Sequence, residues 1–261
     1  MTIRTVTATR YVTPLREGGS LPAVVEADDD GLYVLKFRGA GQGPGALVAE
    51  LVAGEIARAM GLPVPEIVFV ELDPVLGRSE PDFEIQNLVK NSGGLNIALD
   101  FLPGALVFDA AQAPEIPAEL ASRIVWLDAF VANVDRTARN TNMMVWHRQL
   151  YLIDHGAAFY FQHNWGTYQD NAENPFRMIK DHVLLQAAGD IAGANTHAHG
   201  VLSPDVLRGI ADAIPDDWLG TAGQVDSPSA CRAAHLRFME RRLAASEIFV
   251  AEAQRARHDH V

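Results

Sequence analysis

The chain has 261 residues, of which 48% are hydrophobic and 21% charged, enough apolar mass for one large domain or two lobes. That composition excludes disorder as the main state, and no run of about 18 apolar residues free of charges and breakers marks a membrane span. Asp and Glu total 33 against 21 Lys and Arg; the net charge of −12, with no local basic patch, argues against general nucleic-acid binding.

The first residues, MTIRTVTATRYV, carry no apolar leader segment and no cleavage pattern, which reads as a cytoplasmic protein. Residues 5–12 are rich in β-branched side chains and predict a strand. Leu21 to Glu26 predicts a second strand, Asp30-Gly31 a hairpin turn, and Leu32 to Phe37 a third strand, together an antiparallel meander. Residues 39–45 are a glycine-rich loop. Residues 46–60 have helical periodicity, with Gly61 as the stop. Glu66 to Leu72 is a strand, residues 73–82 are turn-rich, and Leu95 to Leu102 is a strand ending at Pro103-Gly104. Beyond that point helices dominate: residues 118–132, 176–189, 203–213 and 229–255, with a small hairpin formed by Met143 to Trp146 and Leu150 to Ile153. The lone cysteine, Cys231, permits no internal disulfide and reads as a buried thiol.

The most informative segment is NVDRTARNTN, residues 133–142, between a helix and the hairpin that ends in Ile153-Asp154-His155-Gly156. Phosphoryl transfer needs a carboxylate to orient a hydroxyl and take its proton, and an amide oxygen with a second carboxylate to hold Mg²⁺ against phosphates. Asp135 and Asn140 have the spacing of the base and the metal-binding Asn in a kinase catalytic loop. Asp154, at a strand end and two residues before a glycine, stands where a kinase has its metal-binding Asp.

Taken with LYVLKF and AELVAGEIARAMGLPVPE upstream, NVDRTARNTN…LYLIDHG resembles the HipA-like kinases, whose cores are related to protein kinases and phosphoinositide kinases. The resemblance covers roughly residues 15–160. It implies an α+β, bilobal, protein-kinase-like fold, with a strand-rich N-lobe over 1–102 and a mainly helical C-lobe over 103–261. It also implies ATP and Mg²⁺ as cofactors and a hydroxyl acceptor, on a protein or a metabolite. Lys36 is then the strand lysine that contacts phosphates, and Glu50 its helix partner. Gly18, Gly19 and Ser20 cover the phosphates, Leu99 and Phe101 meet the adenine, Asp135 orients the acceptor, and Asn140 and Asp154 bind the metal. One departure is plain: His155 follows Asp154 where the kinase motif has phenylalanine.

Strand alternation leaves Lys36 undecided, so its role rests on the resemblance. Glu50 and Glu55 are about 140° apart around a helix and cannot both face Lys36. Glu50 is the choice, since Glu55 can form an exposed pair with Arg58. Arg136 and Arg139 either touch phosphates or hold loop carbonyls; Asn142 reads as a loop end, and His197 and His199 as solvated in a small-residue loop. Ser20 is a candidate for autophosphorylation, against the plainer reading of a turn serine. Two rivals remain. Gly41, Gly43 and Ala46 before a helix, with Glu71 ending the next strand, imitate an NAD(P)-binding Rossmann fingerprint of an oxidoreductase, although the Asp-Gly hairpin implies antiparallel neighbours. A pseudokinase or scaffold would keep the fold without transfer, but Lys36, Asp135, Asn140 and Asp154 are all present.

Overall fold

The computed structural model describes residues 2–15, 21–41, 43–159, 171–219 and 227–259. Strands β1 (Thr5–Pro14), β2 (Ala23–Ala27) and β3 (Leu32–Lys36) form the expected antiparallel meander. The Asp-Gly turn takes the left-handed backbone that a tight hairpin needs: Asp30 has φ 61°, and Ala27 N–H donates to Gly31 O at 3.0 Å. With β4 (Ile67–Leu72) and β5 (Gly94–Asp100) these strands close a barrel in the order β1-β2-β3-β5-β4. Closure is made by a parallel pairing of β1 with β4, which removes both sheet edges.

This order overturns the dinucleotide-binding reading of Gly41, Gly43, Ala46 and Glu71. A Rossmann unit needs the strands on either side of its helix to run parallel in one sheet. Here β3 lies between β2 and β5, antiparallel to both, and β4 is not its neighbour.

Helix α1 (Pro44–Ala59) begins with proline in its first turn and stops before Gly61, whose φ is 72°. From Leu47 to Ala57 every residue is buried, so the helix is enclosed on all sides. Its two glutamates therefore need partners. Glu55 does pair with Arg58, at 2.8 Å, but is itself buried rather than exposed. Gly54 lets β4 approach: a Cβ there would lie 2.6 Å from Ile67 Cδ1.

Between β4 and β5 the turn-rich stretch continues into a helix that its composition did not announce, α2 (Phe83–Asn91), capped by Asp82 accepting from Glu84 N–H. Helix α3 (Ala118–Phe130) forms where periodicity places it. The hairpin is β7 (Met143–Trp146) and β8 (Gln149–Leu152), extended on one edge by β6 (Leu106–Val107).

Three helical expectations change. Residues 176–189 hold only a short 3-10 turn, Arg177–Asp181, because the backbone just beyond it bonds elsewhere: Val183 N–H donates to Arg136 O at 3.1 Å and Thr137 bridges His182. The segment with His197 and His199 is not a loop but α4 (Ile191–Val201), capped by Asp190 and packed on α3 through small residues. After α5 (Pro204–Asp212), the long helix is two: α6 (Pro228–Ala244) and α7 (Ser246–Asp259), breaking at Ala245. Arg242 of α6 is buried and donates to Phe130 O at 2.7 Å and Ala129 O at 2.6 Å, capping the end of α3.

Buried residues of α1, β4 and β5 join those of α3 and beyond in one core, while a second cluster fills the barrel. Trp218 ties the two halves together at its edge-on contact with Phe69 of β4, and its indole donates to Leu95 O at 2.9 Å. Cys231 is buried, as expected. Among the described residues no helix is long and apolar enough to cross a membrane.

Candidate active site

Lys36 closes β3, in register with Ile97 of β5, and its side chain turns toward α1. Its ammonium meets two carboxylates, Glu50 Oε2 and Asp154 Oδ1, each at 2.7 Å. Of the two helix glutamates it is Glu50 that meets Lys36, while Glu55 pairs with Arg58. Burial draws the Lys36 ammonium down, but the two carboxylates outweigh it and hold its pKa above the ordinary value. Lys36 in turn holds Asp154 below the usual carboxylate range, against partial burial. Glu50 is fully buried and also accepts from His155 N–H at 2.7 Å; its Oε1 has no partner among the described residues.

The second half of the site is a tight loop. Asn133 Oδ1 accepts from Asp135 N–H at 3.1 Å, and Thr137 and Asn140 exchange backbone bonds at 2.9 and 3.2 Å. These bonds turn the Asn140 amide back on Asp135, where Nδ2 donates to Oδ2 at 2.7 Å. Asn142 does more than end the loop: it is buried, and its Nδ2 reaches the same oxygen at 3.3 Å. The β7–β8 hairpin brings its two ends together, so that Ile153 N–H donates to Asn142 O at 3.0 Å. Asp154 follows at once, in a left-handed conformation with φ 54°.

Beneath both halves lies a buried polar hub centred on Asp128, a residue that no local sequence signal marks. Asp128 of α3 accepts from Asn133 Nδ2 at 2.9 Å, Arg136 Nε at 2.6 Å and His182 Nε2 at 2.9 Å. Burial opposes its ionisation, yet Arg136 and His182 outweigh that and keep it well below the ordinary range. Arg136 donates further to Asn142 O, to Ile153 O at 3.4 Å and to His155 Nδ1 at 3.2 Å. Its role is thereby decided in favour of loop carbonyls, whereas Arg139 is exposed and lines the cleft. Burial pushes His155 down to about 3, and the Arg136 cation adds to that.

A cleft of about 850 Å³ contains Lys36, Leu99, Phe101, Asp135, Asn140 and Asp154 on its walls. Such a volume suits a nucleotide-sized ligand. Gly18, Gly19 and Ser20 lie outside the described residues; Leu15 and Pro22, on either side of them in the chain, line the cleft. Among the described residues no three His, Cys, Asp or Glu side chains gather into a metal cage. The donors present suit Mg²⁺ instead, which binds through one or two protein oxygens and the substrate's phosphates. Asn140 commits its NH₂ to Asp135 and keeps its amide oxygen, and the Asp154 side chain is 43% exposed.

A closed barrel with one enclosed helix, a helical remainder, and a lysine joined to a helix glutamate and a strand-end aspartate define a kinase fold. Solved kinases share it. The Helicobacter pylori proinflammatory kinase CtkA aligns at 13% identity with a TM-score of 0.56, covering 98% of this chain and 99% of its own. The Golgi casein kinase with Mn/ADP bound aligns at 13% identity and a TM-score of 0.51, over 96% of this chain and 73% of its own. The HipA-like kinase family model matches residues 9–249, and the chain belongs to that family of kinase-like phosphotransferases. No curated protein matches it.

Proposed function

We propose that the chain transfers the γ-phosphoryl group of ATP, in the presence of Mg²⁺, to a hydroxyl acceptor on a protein or small molecule. The observation that carries this reading is the convergence, in one cleft, of Lys36 held by Glu50 and Asp154 with Asp135 held by Asn140. Residues 1–102 then act as the N-lobe and 103–261 as the C-lobe. Leu99 and Phe101 offer apolar walls to the adenine, and Gly18, Gly19 and Ser20 supply backbone N–H groups to the phosphates. Lys36 balances phosphate charge, and Glu50 holds Lys36 in place. Asp135 orients the acceptor hydroxyl and takes its proton as the new O–P bond forms and ADP leaves. Asn140 and Asp154 would hold Mg²⁺, which supplies charge neutralisation at the phosphate oxygens. The Mn/ADP of the Golgi casein kinase structure supports a metal–nucleotide ligand for this cleft.

Thermal melting tests the reading without knowledge of the acceptor. A ligand at 100 times its Kd stabilises the folded state by about 2.7 kcal/mol. Each kcal/mol raises the Tm of a chain this size by roughly 2–4 °C. Mg-ATP should therefore raise Tm by several degrees, while NADH leaves it unchanged. Transfer from γ-labelled ATP to a cell extract, with Asp135→Asn as control, then separates an active kinase from a scaffold that only binds.

A further inference from the structure

His155 stands where the kinase motif has phenylalanine, and its surroundings use it as more than apolar volume. A guanidinium has donors only, so His155 Nδ1 accepts the 3.2 Å bond from Arg136 Nη2, and the neutral ring carries its proton on Nε2. That Nε2 is buried without a partner among the described residues, so Arg136 alone orients the ring by hydrogen bonding. The ring lies beside α1: a Cβ built at Gly54 would lie 3.9 Å from His155 Cδ2, an ordinary contact. The backbone N–H of the same residue holds Glu50 Oε2 at 2.7 Å. Arg136 is anchored on Asp128 and donates to the carbonyls of Asn142 and Ile153, two residues already joined by the bond from Ile153 N–H to Asn142 O.

We propose that His155 is a positioning residue: as the acceptor for Arg136 it locks the backbone at Asp154, so that the carboxylate of Asp154 and the Glu50–Lys36 pair are presented together. The inference rests on the reading of Asp154 as a metal-binding carboxylate. Phenylalanine would fill much the same space and keep the N–H to Glu50, but it would leave Arg136 Nη2 without an acceptor. Asparagine is smaller but sets an amide oxygen near the place of Nδ1. The two substitutions therefore separate volume from hydrogen bonding.

The test measures, by melting in ATP, the Mg²⁺ concentration that gives half the full stabilisation. Loss of an outer partner of a metal ligand typically weakens metal affinity about 10–100-fold. His155→Phe should raise the half-maximal Mg²⁺ by that factor, and His155→Asn should stay close to wild type. Arg136→Lys, which keeps a cation against Asp128 but cannot span the carbonyls and the ring, should resemble His155→Phe and serves if the phenylalanine variant does not fold. Hydrogen exchange without ligand gives a second readout: amides of residues 153–156 should lose protection in His155→Phe and keep it in His155→Asn. Wild-type Mg²⁺ dependence and protection in His155→Phe, or equal impairment in His155→Asn, would overturn the proposal. If wild type itself does not respond to Mg-ATP, the proposed function fails, and the exchange measurement still decides whether His155 fixes the backbone at Asp154.

Discussion

Lys36 and Asp154 are 118 positions apart in the chain, and their charged groups are 2.7 Å apart in space. One comes from the last residue of a barrel strand and the other from the left-handed turn after the hairpin. Glu50 completes the triad from a helix enclosed on all sides.

Removing the cation should therefore cost stability as well as nucleotide binding. Lys36→Met leaves Glu50 buried with a charge and no counter-ion, a change worth about 3–5 kcal/mol. Adding Glu50→Gln removes the stranded charge and should recover part of the lost Tm, but not the response to Mg-ATP. Paired melts of the single and double variants check this; a Lys36→Met protein as stable as wild type would show that the ion pair is dispensable.

Asp135→Asn should separate chemistry from binding. The asparagine oxygen can still accept from Asn140, so the loop survives, but it cannot take a proton. We expect transfer to fall by about 10²–10⁴ while the Mg-ATP melting shift remains. Retained transfer would remove Asp135 from the mechanism.

Stability should fall on mild acidification, and His235 accounts for part of it. Burial pushes its pKa down to about 4, opposed by the bond to Cys231 O. In the unfolded chain the imidazole takes up a proton near pH 6.5, so the unfolded state binds more protons between roughly pH 6.5 and 4. The contribution is complete above that window and is lost as pH drops through it, at about 1.4 kcal/mol per pH unit. Urea unfolding across the window should show a slope shallower by about one proton in His235→Phe.

Trp218 should hold the barrel to the helical half. Its ring is 2% exposed against Phe69 and its N–H is committed to Leu95 O. Trp218→Ala should cost about 3–5 kcal/mol. Trp218→Phe keeps most of the contact but leaves a carbonyl without its donor, and should cost about 1–3 kcal/mol. Denaturant midpoints of both variants measure the difference.

Much of this protein is legible in its sequence. The meander, α1, β4, β5, α3 and the small hairpin follow from periodicity and turn residues, because those signals act within a few residues. Asp135, Asn140 and Asp154 stand out for the same reason: a loop of fixed spacing and a strand end are local objects. Helices α2 and α4 were missed because their formation depends on capping aspartates, Asp82 and Asp190, and on small or sparse apolar faces that acquire meaning only against a neighbour. Asp128 could be read only as another residue of α3. Its value comes from meeting His182, 54 positions on, and Arg136 in a fully buried place. Local sequence leaves Arg136 open between phosphate and carbonyl; the positions of the Asn142 and Ile153 oxygens settle which it meets. Local spacing thus determined which side chains were chemically suited to the site. Tertiary packing decided which of them are buried and whom they face, because the energy of a buried charge depends on its partners across the fold and not on its neighbours in the chain.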